Sequence, residues 1–561
     1  MRPPSRTRRI KARVLRFAAL LLVLVQLPGL LRTGADPSQS DFGNYFTPAF
    51  VLAGGGEVGA LYDRETFDRS QTRAGIRVLG SFIPHPPANA LWLLAFAGES
   101  PAVAKGMWTT VLAGATFLTI VAVSRLSAGL GLVMAAILVL APVFAVRNGL
   151  AFGQPYLVLS VWLALGALAL ERGSEFLGGF LLGLGVSFKP HALLLGAAFL
   201  HRDRLRSLTG FLVGAAGPSL LLFSLAGREP FDAFLTRVLP WMVKGEIQDP
   251  FSPVWGSAMA LANRLFRFEP DLNPHPRLVA PGLARFVGGS VAVTLLGLGA
   301  LTSRKAMGSG RPLDGVAAGV AFAMAASPFT ASYHLVLLVI PLAVLTSRVH
   351  GAWRLALLFG WFLLGSNAAN AFRSAEGVLA PLAYLRFFIL LGLALAVARP
   401  YLTRRTVGTA ALAGLVAGVL ASQAAGRTEV WPRIESARGY SSEHPYYCGA
   451  SLRWWSPSAD GRRLESRGDG EDCVPPKVPQ RVVSRFTDGS WNLYLIGASG
   501  KGRRITFSDA NELEPVETPD GCAVVFASDQ GRGLGSTALY RIDLPDLSRG
   551  CGEDGRVAAR P

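Results

Sequence analysis

Charge is scarce over most of this sequence, and negative charge is scarcest. Charged residues make up 16% of the 561, with 37 Asp and Glu against 55 Lys and Arg; soluble domains usually carry about 25% charged residues. The deficit is localised. From about residue 14 to 424 the chain is a string of apolar stretches with short polar breaks, and after Gly426 it is polar throughout. This pattern excludes a single soluble globular domain. Cysteine is nearly missing as well. The four present, Cys448, Cys473, Cys522 and Cys551, all lie in the polar tail. An even set confined to one soluble segment suits disulfides in an oxidising compartment, with three connectivities open. Zinc is the competing reading, but CxxC and paired His are both lacking. No tightly bound metal and no resident cofactor are expected. The net charge of +18 comes without a contiguous basic face carrying interleaved aromatics, so nucleic acid is not an expected partner.

The basic residues sit in short clusters at the ends of apolar stretches: Arg6, Arg8, Arg9, Lys11 and Arg13; Arg202, Arg204 and Arg206; Arg304, Lys305 and Arg311; Arg399, Arg404 and Arg405. Short cytoplasmic loops retain Lys and Arg in this way. An uncleaved first helix is expected over about 17–31, whose apolar core is long for a secretory signal. Further spans are expected at about 103–124, 128–147, 152–170, 208–226, 282–302, 314–328, 333–347, 353–370, 379–398 and 406–424. Several are shorter than the ~20 residues of a perpendicular crossing. The stretch 176–201 is broken by Lys189-Pro190 and reads as a hairpin of two short helices with Lys189 near its apex. The expected fold is therefore a polytopic α-helical membrane protein of about 11–13 transmembrane helices. With the N-terminus cytoplasmic, an odd number of crossings puts the tail outside, where the cysteine argument independently puts it.

Two outer segments, about 32–102 and 227–281, are far longer than a connection needs, and long loops are often functional. The first contains Asp41, Tyr45, Ala49, a Leu61-Tyr62-Asp63 and an Ile83-Pro84-His85-Pro86-Pro87. A carboxylate about ten residues beyond the first span can accept a proton from a sugar hydroxyl at the membrane surface; the plainer reading makes Asp41 a helix cap. Asp63 resembles a turn residue. Arg147-Asn148-Gly149 and Gly153-Gln154-Pro155 fall at the outer end of a hairpin between spans, where polar groups can bind sugar or phosphate or simply form a turn. Lys189 is a charge inside an apolar segment, a costly placement that usually faces a cavity or a partner. Its ammonium can hold a phosphate or snorkel to lipid headgroups. His334 follows Ser327-Pro328 in another polar outer hairpin, as a phosphate or sugar contact or an interfacial residue.

In order and placement these residues resemble glycosyltransferase family 87, bacterial polytopic enzymes that include polyprenol-phosphate-mannose-dependent alpha-mannosyltransferases. The resemblance spans roughly 14–400 and rests on Asp41, Tyr45 and Ala49, on Leu61-Tyr62-Asp63, and on Asn148-Gly149 with Gly153-Gln154. It continues through Lys189-Pro190 and Ser327-Pro328 with His334, while Pro84-His85-Pro86-Pro87 stands where the family tends to have Tyr-Pro-Pro. It implies a GT-C-like fold with its active site at the outer helix ends. It also implies a polyprenyl-phosphate sugar as co-substrate and inversion at the sugar. Asp41 would be the catalytic base. Lys189, His334, His85, Tyr45, Asn148, Gln154 and Asp63 would be substrate contacts, with the departure at His85 bearing on donor and acceptor identity. The implied partners are the lipid-linked donor, a glycan or glycolipid acceptor and membrane lipids. The implied location is the bacterial inner membrane.

The polar tail, 427–561, is read as a small extracytoplasmic all-β domain following a transmembrane domain of residues 1–426. Asp-Gly turns beside apolar runs, as at Asp488-Gly489 and Asp520-Gly521, are hairpin signals. The set resembles blades of a TolB-type β-propeller, and about 135 residues suffice only for part of one. Two other functions compete. A transporter would need charged residues along several spans or paired broken helices, and only one broken segment appears. A non-catalytic envelope sensor would depend on the tail rather than on Asp41.

Overall fold

The computed structural model describes residues 40–76, 80–126, 131–141, 143–189, 192–366 and 371–423, and in the tail 444–448, 451–457, 463–465, 481–487, 490–496, 500–519 and 521–544. The chain divides into two compact units. One comprises Met1–Leu235, Phe251–Phe268 and His275–Gln423, the other Thr236–Pro250, Glu269–Pro274 and Ala424–Pro561. The second unit thus takes in two pieces of the 227–281 segment as well as the tail.

The first unit is helical. Its main helices are α1 (Ser40–Ala53), α2 (Arg64–Arg73), α3 (Pro101–Leu126), α4 (Gly131–Leu140), α5 (Val143–Ala151), α6 (Tyr156–Glu171), α7 (Glu175–Phe188), α8 (Leu193–Ala198), α9 (Leu205–Ala226), α10 (Pro281–Gly308), α11 (Pro312–Ala326), α12 (Val339–Arg348), α13 (Ala352–Leu364), α14 (Leu385–Ala398) and α15 (Arg404–Gln423). Among the described residues four helices, α3, α9, α10 and α15, are long and apolar enough to cross a membrane, or six spans if each of two bent pairs counts as one. Several others are apolar but of only 10–17 residues. Among the described residues helix length supplies fewer than the 11–13 crossings expected from the sequence, and the first expected span, 17–31, lies outside them. That this unit is a membrane protein is carried by its surface: Leu212, Leu220 and Phe223 on α9 and Leu412 and Leu420 on α15 are more than half exposed, a density of bare apolar side chains that water does not tolerate and lipid does.

The stretch 128–147, expected as one span, is two helices, α4 and α5. Pro142 falls between them, and a proline has no N–H to continue the helical ladder. Asn148 consequently lies within α5, and the turn comes after it, at 152–155. Lys189 caps α7 in an extended conformation (φ −146°, ψ 110°), as the residue before a proline prefers. Helices α7 and α9 cross closely through two small-xxx-small pairs. A Cβ added at Gly179 or Gly183 would run into the carbonyls of Ser207 or Phe211, and one added at Gly210 or Gly214 into those of Phe176 or Phe180. Glycine is required at such a crossing because only bare backbone permits the approach.

Among the described residues the second unit holds three separate three-stranded antiparallel sheets: β1 (His444–Cys448), β2 (Ser451–Pro457) and β3 (Arg463–Glu465); β4 (Val482–Thr487), β5 (Ser490–Ile496) and β6 (Gly502–Arg504); β7 (Glu512–Glu517), β8 (Ala523–Ser528) and β9 (Ala538–Asp543). In the second sheet the Thr487↔Ser490 pairing brackets Asp488-Gly489. Val482, Leu493, Leu495, Val524, Phe526, Ala538, Tyr540 and Leu544 form an apolar core shared by the second and third sheets. A propeller blade carries four strands, and among the described residues each of these sheets has three, so what is described is a group of small sheets. Cys473, Cys551 and the Cys448 side chain, on which the cysteine pairing depends, lie outside the described residues.

Candidate active site

Helix α1 buries Phe42, Tyr45, Phe46 and Ala49, the spacing of one helical face. Asp41 lies in its first turn, one turn before Tyr45, so the two side chains stand on the same side of the helix. Both reach Gln154. The Gln154 amide Nε2 donates to Asp41 Oδ2 at 2.8 Å, and the Tyr45 hydroxyl donates to Gln154 Oε1 at 2.6 Å. The carboxylate is therefore held by a side chain rather than serving only as a helix cap. Burial, with Tyr156, Tyr333 and Asp41 adding to it, pushes the Tyr45 hydroxyl well above its usual value, so it stays a neutral donor.

Gln154 is placed by its turn. Gly153 adopts φ +64°, a left-handed conformation open to glycine. The Gln154 N–H closes the turn on Gly149 O at 2.8 Å. One turn further back, Asn148 donates to Ser332 Oγ at 2.8 Å, tying α5 to the 3-10 segment Ser332–Leu338. That segment carries His334, whose Nδ1 accepts the Ala331 N–H at 3.1 Å and whose ring packs on Tyr156 with centroids 4.2 Å apart.

On the other side of Tyr45, its ring lies 4.9 Å from that of His85. Lys189 Nζ is 3.2 Å from His85 Nδ1 and sits over the Tyr156 ring at 5.3 Å. An ammonium can only donate, so His85 Nδ1 accepts and Nε2 carries the hydrogen. That Nε2 is buried without a partner among the described residues. Burial first, then the Lys189 charge, hold the imidazole well below its usual pKa, and it remains neutral. Lys189 also forms part of the lining of an apolar crevice bounded by Leu159, Trp162, Leu182, Leu195 and Met324 among others.

Seven of the eight site residues expected from the sequence are thus linked by hydrogen bonds or ring contacts running from Asp41 through Gln154, Tyr45, His85, Lys189 and Tyr156 to His334, with Asn148 joined through the His334 segment. Asp63 is not linked to them: it caps α2, accepting the Thr66 N–H at 2.9 Å. Sequence reasoning missed three residues that build the site. Tyr156 joins Lys189 to His334. Asn89, fully buried, donates to Pro86 O and Phe188 O and so ties the His85 loop to the end of α7. Lys105, a charge inside an apolar stretch, carried the same signal that singles out Lys189. Among the described residues no three His, Cys, Asp or Glu side chains converge as a metal site.

A polar cluster of this kind, held by short apolar helices in a bundle with lipid-facing surfaces, defines a membrane protein with an intramolecular polar site beside an apolar crevice. The model for glycosyltransferase family 87 matches residues 82–328, and over those residues the chain is similar to membrane glycosyltransferases. The matched stretch contains His85, Asn148, Gln154 and Lys189, while Asp41, Tyr45 and His334 lie beyond its ends. No curated protein matches the chain, and no solved structure does.

Proposed function

We propose that this chain is a membrane glycosyltransferase that moves a hexose, mannose being one candidate, from a polyprenyl-phosphate donor to an extracytoplasmic glycan or glycolipid acceptor. The observation that carries the reading is the joining of a held carboxylate, Asp41, to a lysine–histidine pair that stands on an apolar crevice. Those are the three elements that transfer from a lipid phosphate requires. Asp41 accepts the acceptor hydroxyl proton as its oxygen attacks the anomeric carbon. The bond from that carbon to the phosphate oxygen breaks with inversion, and polyprenyl phosphate leaves with the electron pair. The Lys189 ammonium stabilises the charge on the leaving phosphate, and the His85 Nε2–H and His334 are further donors to phosphate or sugar. The first isoprene units lie against the apolar side chains beside Lys189. The chain works in the bacterial inner membrane with its N-terminus cytoplasmic and its β domain outside, and the β domain binds or docks envelope components.

The test is sugar transfer by the purified protein in detergent, offered a panel of polyprenyl-phosphate sugars, with Asp41→Asn alongside. The expected result is transfer by the wild type and a loss of at least about a hundredfold in a folded Asp41→Asn protein, the scale of general-base catalysis. If no polyprenyl-phosphate sugar is consumed, the proposal fails; equal transfer by the variant would move the base elsewhere.

A further inference from the structure

Lys105 lies on α3 with its side chain fully buried, in a helix long and apolar enough to cross the membrane. Its Nζ donates to Leu150 O at 2.9 Å and to Ala151 O at 2.8 Å, and it stands 5.2 Å from the centre of the Phe42 ring on α1. One helical turn along α3, Trp108 Nε1 donates to Gly153 O at 2.7 Å. The carbonyls at the end of a helix have no intrahelical partner; here Leu150 O accepts the Gly153 N–H at 3.1 Å as well as Lys105, and Ala151 O and Gly153 O are met by Lys105 and Trp108 of α3. A lysine buried in an apolar helix is costly. It is a demanding way to satisfy carbonyls unless the position of the turn itself matters. That turn presents Gln154 to Asp41 and Tyr45, and the helix it ends presents Asn148 to Ser332. The approach is close: a Cβ added at Gly153 would lie 3.0 Å from Lys105 Nζ and 3.3 Å from the Phe42 ring.

We propose that Lys105 is a positioning residue for the transfer reaction. With Trp108 it clamps the 150–153 carbonyls so that Gln154 reaches the Asp41 carboxylate and orients it toward the acceptor hydroxyl. The inference rests on the reading of Asp41 as base. It gives α3 a role in the site that its apolar composition conceals. In this role Lys105 acts through Gln154.

A double-mutant cycle tests this. Steady-state transfer is measured on the full-length protein in detergent for wild type, Lys105→Met, Gln154→Ala and the double variant, with melting temperatures recorded for each. Lys105→Met is expected to lower kcat at least about tenfold while the donor KM changes less than about twofold, and to cost less than about twofold once Gln154 is already Ala. Should Lys105→Met fail to fold, Trp108→Phe, which removes one N–H and keeps a ring, replaces it in the same cycle with the same expectations in smaller measure. An equal loss of kcat in both backgrounds, or a lowered melting temperature with unchanged kcat, overturns the proposal. Asp41→Asn is measured in parallel. Undiminished transfer there overturns the base and this inference with it, whereas a folded Asp41→Asn that loses transfer while Lys105 and Gln154 prove uncoupled overturns this inference alone.

Discussion

At the residue scale the site is a matter of which polar groups share a partner. Gln154 is bonded to both Asp41 and Tyr45, so it helps to fix the orientation of the carboxylate. Lys189 is placed between an imidazole nitrogen and an aromatic face. If its ammonium holds the donor phosphate, a charge-assisted contact worth about 1.5–3 kcal/mol is at stake. Lys189→Met is accordingly expected to lower kcat/KM for the donor by roughly tenfold to a hundredfold. Initial rates over a range of donor concentrations check this, and an unchanged kcat/KM would remove Lys189 from the phosphate. Asp41, Lys189 and His334 were legible because each is an ionisable residue in an otherwise apolar or short polar context. Tyr156 and Asn89 were not, because an aromatic at the start of an apolar helix and an asparagine in a loop are ordinary wherever they occur.

At the element scale the helices follow the apolar stretches, while their breaks and crossings obey backbone chemistry. Helices α4 and α5 are separate, and α5 carries Asn148, whose amide donates to Ser332. The α7–α9 crossing depends on Gly179, Gly183, Gly210 and Gly214. Since α7 ends at Lys189, separating this pair disturbs the site from a distance. Gly183→Leu is expected to lower stability by about 1–3 kcal/mol, the range for forcing volume into a packed contact, and to lower transfer with it. A substitution at Gly217, where an added Cβ meets nothing within 4 Å, is the matched control. Thermal melts followed by tryptophan fluorescence compare the two, and equal melting temperatures would show that the crossing tolerates a wider gap. The periodicity that marks α1 as a helix, 42, 45, 46 and 49, was present in the sequence. The small-xxx-small pairs were present too, but nothing in a single chain says which glycine faces which helix.

At the scale of the whole molecule, two units with different chemistry share one chain. The helical unit buries apolar side chains and a few polar clusters. The β unit is rich in buried polar groups: Arg532, fully buried, pairs with Glu269 at 3.2 Å and Asp271 at 2.7 Å, and Asp529 accepts from Asn511 N and Nδ2 and from Gly535 N. Burial outweighs those hydrogen bonds, and Glu246 adds to it, so the Asp529 carboxyl is raised to about 6 from 3.8. A carboxyl whose folded value is raised contributes stability that is fully present below its unfolded value and lost as pH rises through the folded one. Between pH 4 and 7 the β unit should therefore lose up to about 3 kcal/mol from this group, since each tenfold difference in proton affinity between the folded and unfolded chain is worth roughly 1.4 kcal/mol. Asp529→Asn should flatten the dependence. Hydrogen exchange of β7–β9 in the intact protein at pH 4.5 and 7, for wild type and variant, reads this out; the same slope in both would assign the dependence to other groups.

The sequence by itself determined where the membrane-facing and water-facing parts of this protein lie, because burial in lipid or water is decided by the composition of each stretch. It also determined the helical faces, through hydrophobic period, and the polar positions from which a site could be drawn. Only the tertiary structure decided which of those positions meet. Asp41 and Gln154 are 113 residues apart, His85 and Lys189 104, and Asn148 and Ser332 184. A hydrogen bond needs its donor and acceptor within about 3 Å, and over such separations that proximity is set by how the helices pack. Asp63, an aspartate like Asp41 and also in the first outer segment, ends as a helix cap because it directly precedes α2.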